Sequence, residues 1–243
     1  MSTAAIKFDG VRKTFGRVVA VDRVTFSVPA GSFVGLIGHN GAGKSTCLKM
    51  LCGQLRPTEG TVQIAGVDVV AEPLEARRRL GAVPEEPAVY PWLTAREFLE
   101  LVAEVRGGGD VGEALALAGL GGDADRLIRE YSQGMRRRTA LAAALLGRPE
   151  VLVLDEALNG LDPPSAARVK GVLRAAVDEG RTVLLSTHVV ETVEAVADRV
   201  VMLAHGRVVA DERAEDLGAR GLEELFLERL EASHREGFAE GDR

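Results

Sequence analysis

The chain has 243 residues, 46% hydrophobic and 27% charged, an ordinary composition for a globular protein with room for a sizeable core, as one large domain or two small ones. Its net charge of −6 is unevenly placed: up to Ala210 there are 25 basic and 25 acidic residues, and from Asp211 onward 5 and 11. A balanced body with an acidic tail lacks the clustered Lys/Arg excess of a broad nucleic-acid footprint, so no nucleic-acid partner is expected.

Along the chain, Met1–Gly10 carries Lys7 and Asp9 and no apolar segment, so no secretory signal is expected there. Strand-like stretches follow at Ile6–Phe8, Val18–Val21 and Val24–Val28, with breaks at Gly10, Gly16 and Pro29–Gly31. Phe33–Ile37 reads as a buried strand entering a glycine-rich turn and a helix over Lys44–Leu51, and Thr61–Val69 as a hairpin after the Pro57–Gly60 turn. From Thr94 to Gly147 the pattern is helical. Thr94 with Glu97 makes a capping box, Phe98, Leu99, Leu101 and Val102 form an apolar face, and Val111–Ala118 resumes after Gly107–Gly109.

Then come a strand Val151–Leu154, a helix near Ser165–Glu179, a strand Thr182–Ser186, a helix near Val190–Ala197, and strands Val200–Leu203 and Arg207–Ala210. Continuous Val/Leu strands alternating with helices predict an α/β fold whose parallel sheet is covered on both faces. Its longest apolar runs, such as Leu141–Leu146, fall far short of the roughly 20 residues of a membrane span, so a cytosolic chain is expected. Cys47 and Cys52 have no neighbouring His or Cys pair and suit small buried helix positions better than zinc or a disulfide.

The strongest chemical signal is Gly38-His39-Asn40-Gly41-Ala42-Gly43-Lys44-Ser45-Thr46 between a buried strand and a helix. Glycines let backbone N–H groups close around phosphate, and the helix N-terminus adds a positive field. In such a P-loop Lys44 reaches the β- and γ-phosphates and the Ser45 hydroxyl ligates Mg²⁺. Val151–Leu154 delivers Asp155 and Glu156 to the sheet's carboxyl edge, where open α/β sheets bind ligands. Asp155 suits water-mediated Mg²⁺ binding, and Glu156 suits orienting or deprotonating the water that attacks the γ-phosphate.

Between these motifs lies Tyr131-Ser132-Gln133-Gly134-Met135-Arg136-Arg137-Arg138. With the loops below, it makes nearly the whole chain resemble the ABC ATPase family. Of that family's Leu-Ser-Gly-Gly-Gln signature only Ser132 and Gly134 match strictly, in a Tyr-Ser-x-Gly-Met form similar to that of export subunits. The resemblance implies a P-loop NTPase (RecA-like) core with a mainly parallel sheet, an N-terminal antiparallel β subdomain and an inserted helical subdomain near residues 90–147. It places the ATPase domain at 4–218 and an acidic tail with a short amphipathic helix at 219–243, bearing Leu222, Leu225, Phe226 and Leu230 on one face.

The resemblance further implies that ATP and Mg²⁺ bind the P-loop and that Phe15 stacks on adenine, although an aromatic there equally suits a core. Glu85, after Pro84, stands where the family has glutamine, and as a carboxylate it accepts from Mg²⁺-bound water but cannot donate as an amide does. Ser132, Gln133 and Gly134 close on the ATP of a second ATPase subunit, Asp162 of Asn159-Gly160-Leu161-Asp162 crosses the dimer interface, and His188 contacts the γ-phosphate. The Arg136–Arg138 run itself reads as a solvated face of an N-capped helix. Of the other histidines, His205 and His234 read as exposed. Tyr90-Pro91-Trp92-Leu93 fits either a contact with an integral-membrane subunit or subdomain packing.

The implied protein is an ATP hydrolase on the cytoplasmic face of the cell membrane, driving export through a separate membrane subunit. A soluble ABC ATPase, or one serving cofactor or metal-site maturation, is the alternative.

Overall fold

A computed structural model describes residues 4–216, 221, 222, 224, 225 and 227–229. Strands β1 (Ala4–Phe15) and β2 (Val18–Pro29) form one long antiparallel hairpin, closed at residues 16–17. Gly10 does not end a strand as expected: the ladder shifts register between Phe8 and Val11 and continues, as at a β-bulge. Strand β3 (Phe33–Ile37), buried along its whole length, feeds helix α1 (Lys44–Leu51), with the bounds that the apolar run and the Gly-rich turn predict. Strands β4 (Glu59–Ile64) and β5 (Val67–Asp68) complete an antiparallel sheet in the order β2-β1-β4-β5.

Two elements went unread in the sequence. Helix α2 (Pro73–Arg78) begins on Pro73, whose fixed φ suits a first helical turn, and leads into strand β6 (Leu80–Val83). The helical block follows as α3 (Ala95–Arg106), α4 (Val111–Ala118) and α5 (Gln133–Leu145). Thr94 caps α3 reciprocally with Glu97, as its spacing predicts. Phe98 and Leu99 are buried, whereas Leu101 is 39% exposed and does not belong to the packed face.

The remaining elements are β7 (Val151–Asp155), α6 (Pro163–Asp178), β8 (Thr182–Thr187), α7 (Val190–Glu194), β9 (Arg199–Ala204) and β10 (Arg207–Arg213). Helix α7 stops at Glu194, three residues before its expected end. Among the described residues the second sheet runs β10-β9-β3-β8-β7-β6, parallel except for β10. Both β3 and β7 thus have strands on either side, and their carboxyl ends deliver the P-loop and the acidic pair to one edge.

One core joins the antiparallel sheet, α1 and one face of the parallel sheet through residues such as Phe8, Met50 and Leu184. A second packs α5, α6 and α7 on the opposite face, around Leu152, Leu173 and Val193. A third lies inside the helical block, around Phe98, Leu99 and Ile128. Gly35 in β3 permits close packing of α7, because a Cβ there would overlap both methyl groups of Val193. Of the expected tail helix, Leu222 is fully buried in the second core and its N–H donates to Glu194 Oε1 at 2.7 Å, with Leu225 packed partly beside it. Phe226, Leu230 and His234 lie outside the described residues. No described helix is long and apolar enough to cross a membrane.

Candidate functional site

The loop after β3 turns sharply into α1: Gly43, at the helix N-cap, has φ 106°, a left-handed conformation that L side chains avoid. It is also sterically committed, since a Cβ on Gly43 would stand 2.8 Å from the Ala20 carbonyl oxygen. A Cβ on Gly206, in the β9–β10 turn, would stand equally close to the same oxygen. The Gly206 N–H donates to Ala42 O at 3.0 Å, and its carbonyl accepts from Asp22 N at 2.8 Å. The antiparallel sheet, the P-loop and the β9–β10 turn therefore meet on one carbonyl.

Lys44 is 5% exposed, and its ammonium donates to Gly38 O at 2.7 Å. It also lies 3.5 Å from Glu156 Oε1. Glu156, 6% exposed, is held from three sides, with Lys44 on one, His188 Nδ1 at 3.1 Å from Oε1, and Asn159 Nδ2 donating to Oε2 at 2.8 Å. Its backbone has φ 49°, a left-handed conformation uncommon for a non-glycine residue and concentrated at functional sites. Asp155, at the end of β7 and 8% exposed, accepts from Ser186 Oγ at 2.8 Å.

Lys44, Glu156, Asn159 and His188 face one cleft of about 560 Å³, lined also by Val18–Ala20, Asn40–Gly43, Ser45, Thr46 and Glu85. A second hollow of about 310 Å³ shares Ser45 and Glu85 with it and adds Asp155 and Cys52. The sequence-predicted P-loop and acidic residues thus converge. His39 sits at the edge of the loop, its Nδ1 2.7 Å from Asn40 O and its ring 5.4 Å from that of the exposed His205.

Other expected residues are placed elsewhere. Phe15 is 48% exposed, which removes the core alternative; its ring lies beneath the Lys13 ammonium rather than lining the cleft. Ser132 caps α5, accepting from Met135 N at 3.3 Å, and with Gln133 and Gly134 it stands apart from the chain's own P-loop cleft. Asp162 caps α6: its carboxylate accepts from Ser165 N and Ser165 Oγ, and these bonds, the backbone one first, hold it below the usual carboxylate range.

The expected solvated face at Arg136–Arg138 is overturned. All three are half-buried and bonded to carbonyls of other segments: Arg136 to Ile128 and Arg129, Arg137 to Glu156 and Asn159, Arg138 to Ala118 and also to Ser165 Oγ. A guanidinium carries five donors in a planar fork, which suits it to bridging separated carbonyls. Ser186, which holds Asp155, carries no local sequence pattern because the fold brings it from 31 residues away, whereas Asn159, three residues from Glu156, reads in the sequence only as part of the Asn159–Asp162 loop.

Residues 21–159 match the family described as ABC transporter. The chain is 40% identical over 215 residues to the daunorubicin/doxorubicin resistance ATP-binding protein of Streptomyces peucetius, spanning 86% of this chain and 65% of that protein. It is 39% identical over 217 residues to the Nod factor export ATP-binding protein I of Burkholderia orbicola, covering 87% of this chain and 71% of the relative. A solved dimeric ATP-binding cassette in a post-hydrolysis state, bound to ADP and Pi, superposes with a TM-score of 0.80 at 27% identity, covering 86% of this chain and 98% of that one.

Proposed function

Because the chain belongs to the ABC transporter family and carries its ATP-hydrolysing cassette, we propose that it powers export by a separate integral-membrane subunit, acting as an ATP-closed dimer at the cytoplasmic face of the membrane. The observation that carries this reading is the buried Glu156 carboxylate, held between Lys44 and His188 beside the phosphate-binding loop. There it accepts a proton from the water attacking the γ-phosphate, while the P-loop N–H groups and Lys44 stabilise charge on the transferred group. His188 contacts that group from the end of β8.

The oxygen-only set Ser45, Asp155 and Glu85 suits Mg²⁺, a hard cation commonly held by one or two carboxylates and substrate phosphates. When bound, Mg²⁺ neutralises charge building up between the β- and γ-phosphates. Ser132 and Gly134, at the N-terminus of the 13-residue helix α5 and away from the chain's own cleft, fit an anion clamp on a second subunit's ATP. Gln133 at the same terminus and Asp162 beyond it lie on the surface that the second subunit covers, and Phe15, whose strand partner Val18 lines the cleft, stacks on an adenine that reaches past the cleft's edge. The ATPase domain covers 4–218, with the acidic segment 219–243 beyond it.

The test is Glu156→Gln in the purified protein. We expect hydrolysis to fall by about 10²–10⁴-fold while ATP binding persists and an ATP-dependent dimer accumulates; sustained hydrolysis would remove Glu156 from the role. Co-purification of a multi-spanning membrane protein with the tagged chain checks the export assignment, and a tagged chain that repeatedly comes out alone counts against it.

A further inference from the structure

The mechanism leaves the half-buried arginines of α5 unused, Arg137 among them. Arg137 lies on α5, five residues after Ser132, and its Nη1 donates to two carbonyls outside that helix: Glu156 O at 3.2 Å and Asn159 O. Those carbonyls bracket the turn closed by Asn159 N donating to Glu156 O at 3.1 Å, and the Asn159 side chain holds Glu156 Oε2. One guanidinium thus grips both ends of the loop whose first residue is the left-handed Glu156. A strained backbone persists only where its surroundings over-determine it, and among the described residues the bond from Glu156 N to Ser186 O is the one backbone bond besides Arg137's contact that holds this residue's main chain from outside the loop.

We propose that Arg137 is a positioning residue, which sets the direction of the Glu156 carboxylate and ties it to the placement of α5. When α5 shifts, the turn 156–159 shifts with it, so the water-directing carboxylate is aligned only when the helix bearing Ser132 is seated. Hydrolysis is then linked to the position of the helical block rather than to ATP occupancy of the P-loop alone. The inference rests on Glu156 acting on the attacking water, as proposed above.

The experiment compares Arg137→Met, which keeps the apolar stem and removes the donors, with Arg137→Lys, which keeps one point donor, and with Glu156→Gln in parallel. A misplacement of about 1 Å at a reacting group lowers rates by about 10²-fold. We therefore expect kcat to fall about 10–100-fold in Arg137→Met, with the ATP dissociation constant within about two-fold and the unfolding midpoint near that of the parent, and Arg137→Lys to recover part of kcat.

If Glu156→Gln is inactive while Arg137→Met turns over normally, the positioning role fails and the assignment of Glu156 stands. If Glu156→Gln itself hydrolyses ATP, the assignment of Glu156 fails first. A loss of activity that tracks lost folded protein and weaker ATP binding alike makes Arg137 a structural brace and overturns the proposal. Should Arg137→Met not fold, Arg137→Gln is measured by the same split between kcat and ATP affinity.

Discussion

Lys44 Nζ and Glu156 Oε1 lie 3.5 Å apart, with both side chains more than nine-tenths buried. The cation proposed to grip phosphate and the anion proposed to direct water are thus each other's partner in the free chain. Breaking a buried pair by removing one member leaves the other charge unsatisfied, at about 3–5 kcal/mol. The further contacts of Glu156 with His188 and Asn159 place this pair near the lower figure.

Lys44→Ala should therefore do two things. Its loss of a charge-assisted contact weakens ATP binding by about 10–100-fold, readable in a nucleotide titration. Its stranded carboxylate lowers stability by about 3 kcal/mol, readable in denaturant unfolding without nucleotide. A double variant, Lys44→Ala with Glu156→Gln, should regain much of the stability and none of the affinity.

Glu85 lines both hollows that Ser45 lines, in company with Asp155 in one and Glu156 in the other. Glu85→Gln removes one negative charge several ångströms from the phosphates, worth roughly 0.5–1 kcal/mol in a solvated site, or about two- to five-fold. ATP binding without divalent cation should strengthen by that factor, and the Mg²⁺ concentration giving half-maximal hydrolysis should rise. Magnesium titrations that superimpose for the two proteins would remove Glu85 from the metal site.

Gly35→Ala inserts a methyl group into the packing between β3 and Val193 of α7. Overpacking of this kind costs about 1–3 kcal/mol. Because His188 stands two residues before α7, the displacement should reach its contact with Glu156 and lower kcat more than ATP affinity. Adding Val193→Ala should relieve both effects; failure of that second change to restore melting temperature and turnover would refute the packing explanation.

Burial pushes the Cys47 thiol up to about 12 from its ordinary 9.0. Cys52 rises to about 12 as well, by burial first and the Asp155 carboxylate second, with Arg77 opposing. Only the thiolate is reactive, so both cysteines should label slowly with a thiol reagent at pH 8 and rapidly in denaturant. The sign for stability follows: the folded state favours the neutral thiols, an advantage intact below pH 9 and lost as pH rises from 9 toward 12. A midpoint of unfolding that rises across that window would contradict the assignment.

What could be read directly was what is written locally. Phe33–Ile37 and Val151–Leu154 are strands buried on both faces, so their runs are apolar throughout, and the Gly-rich turn and acidic pair follow at once. The Thr94 and Glu97 cap is likewise complete within four residues. Strand β6 escaped because Leu80-Gly81-Ala82-Val83 has a single β-branched residue and gains its strand character from pairing with β7. The arginines escaped for a related reason: Arg137 and Arg138 bond to carbonyls about twenty residues away, so their charge run reads as surface until the fold supplies partners. Asp162-Pro163-Pro164-Ser165 held a signal that went unused, an N-cap acid followed by Pro at the first helical position.

The single Ala20 carbonyl pinched between Gly43 and Gly206 has a mechanical meaning. A side chain on either glycine would run into that oxygen and push the β1–β2 hairpin off the nucleotide loop, so the close fit of the two parts depends on both glycines. A displacement of the helical block relative to the sheets would have to be taken up where it joins them, at residues 84–93 on entry and 146–150 on exit. There short local bonds such as Val89 N to Pro87 O and Leu93 N to Tyr90 O alternate with a few long-range ties, Ile128 N to Leu93 O, Arg129 N to Pro91 O and Thr182 N to Glu150 O. Close packing around one oxygen thereby narrows where along the chain a hinge can lie.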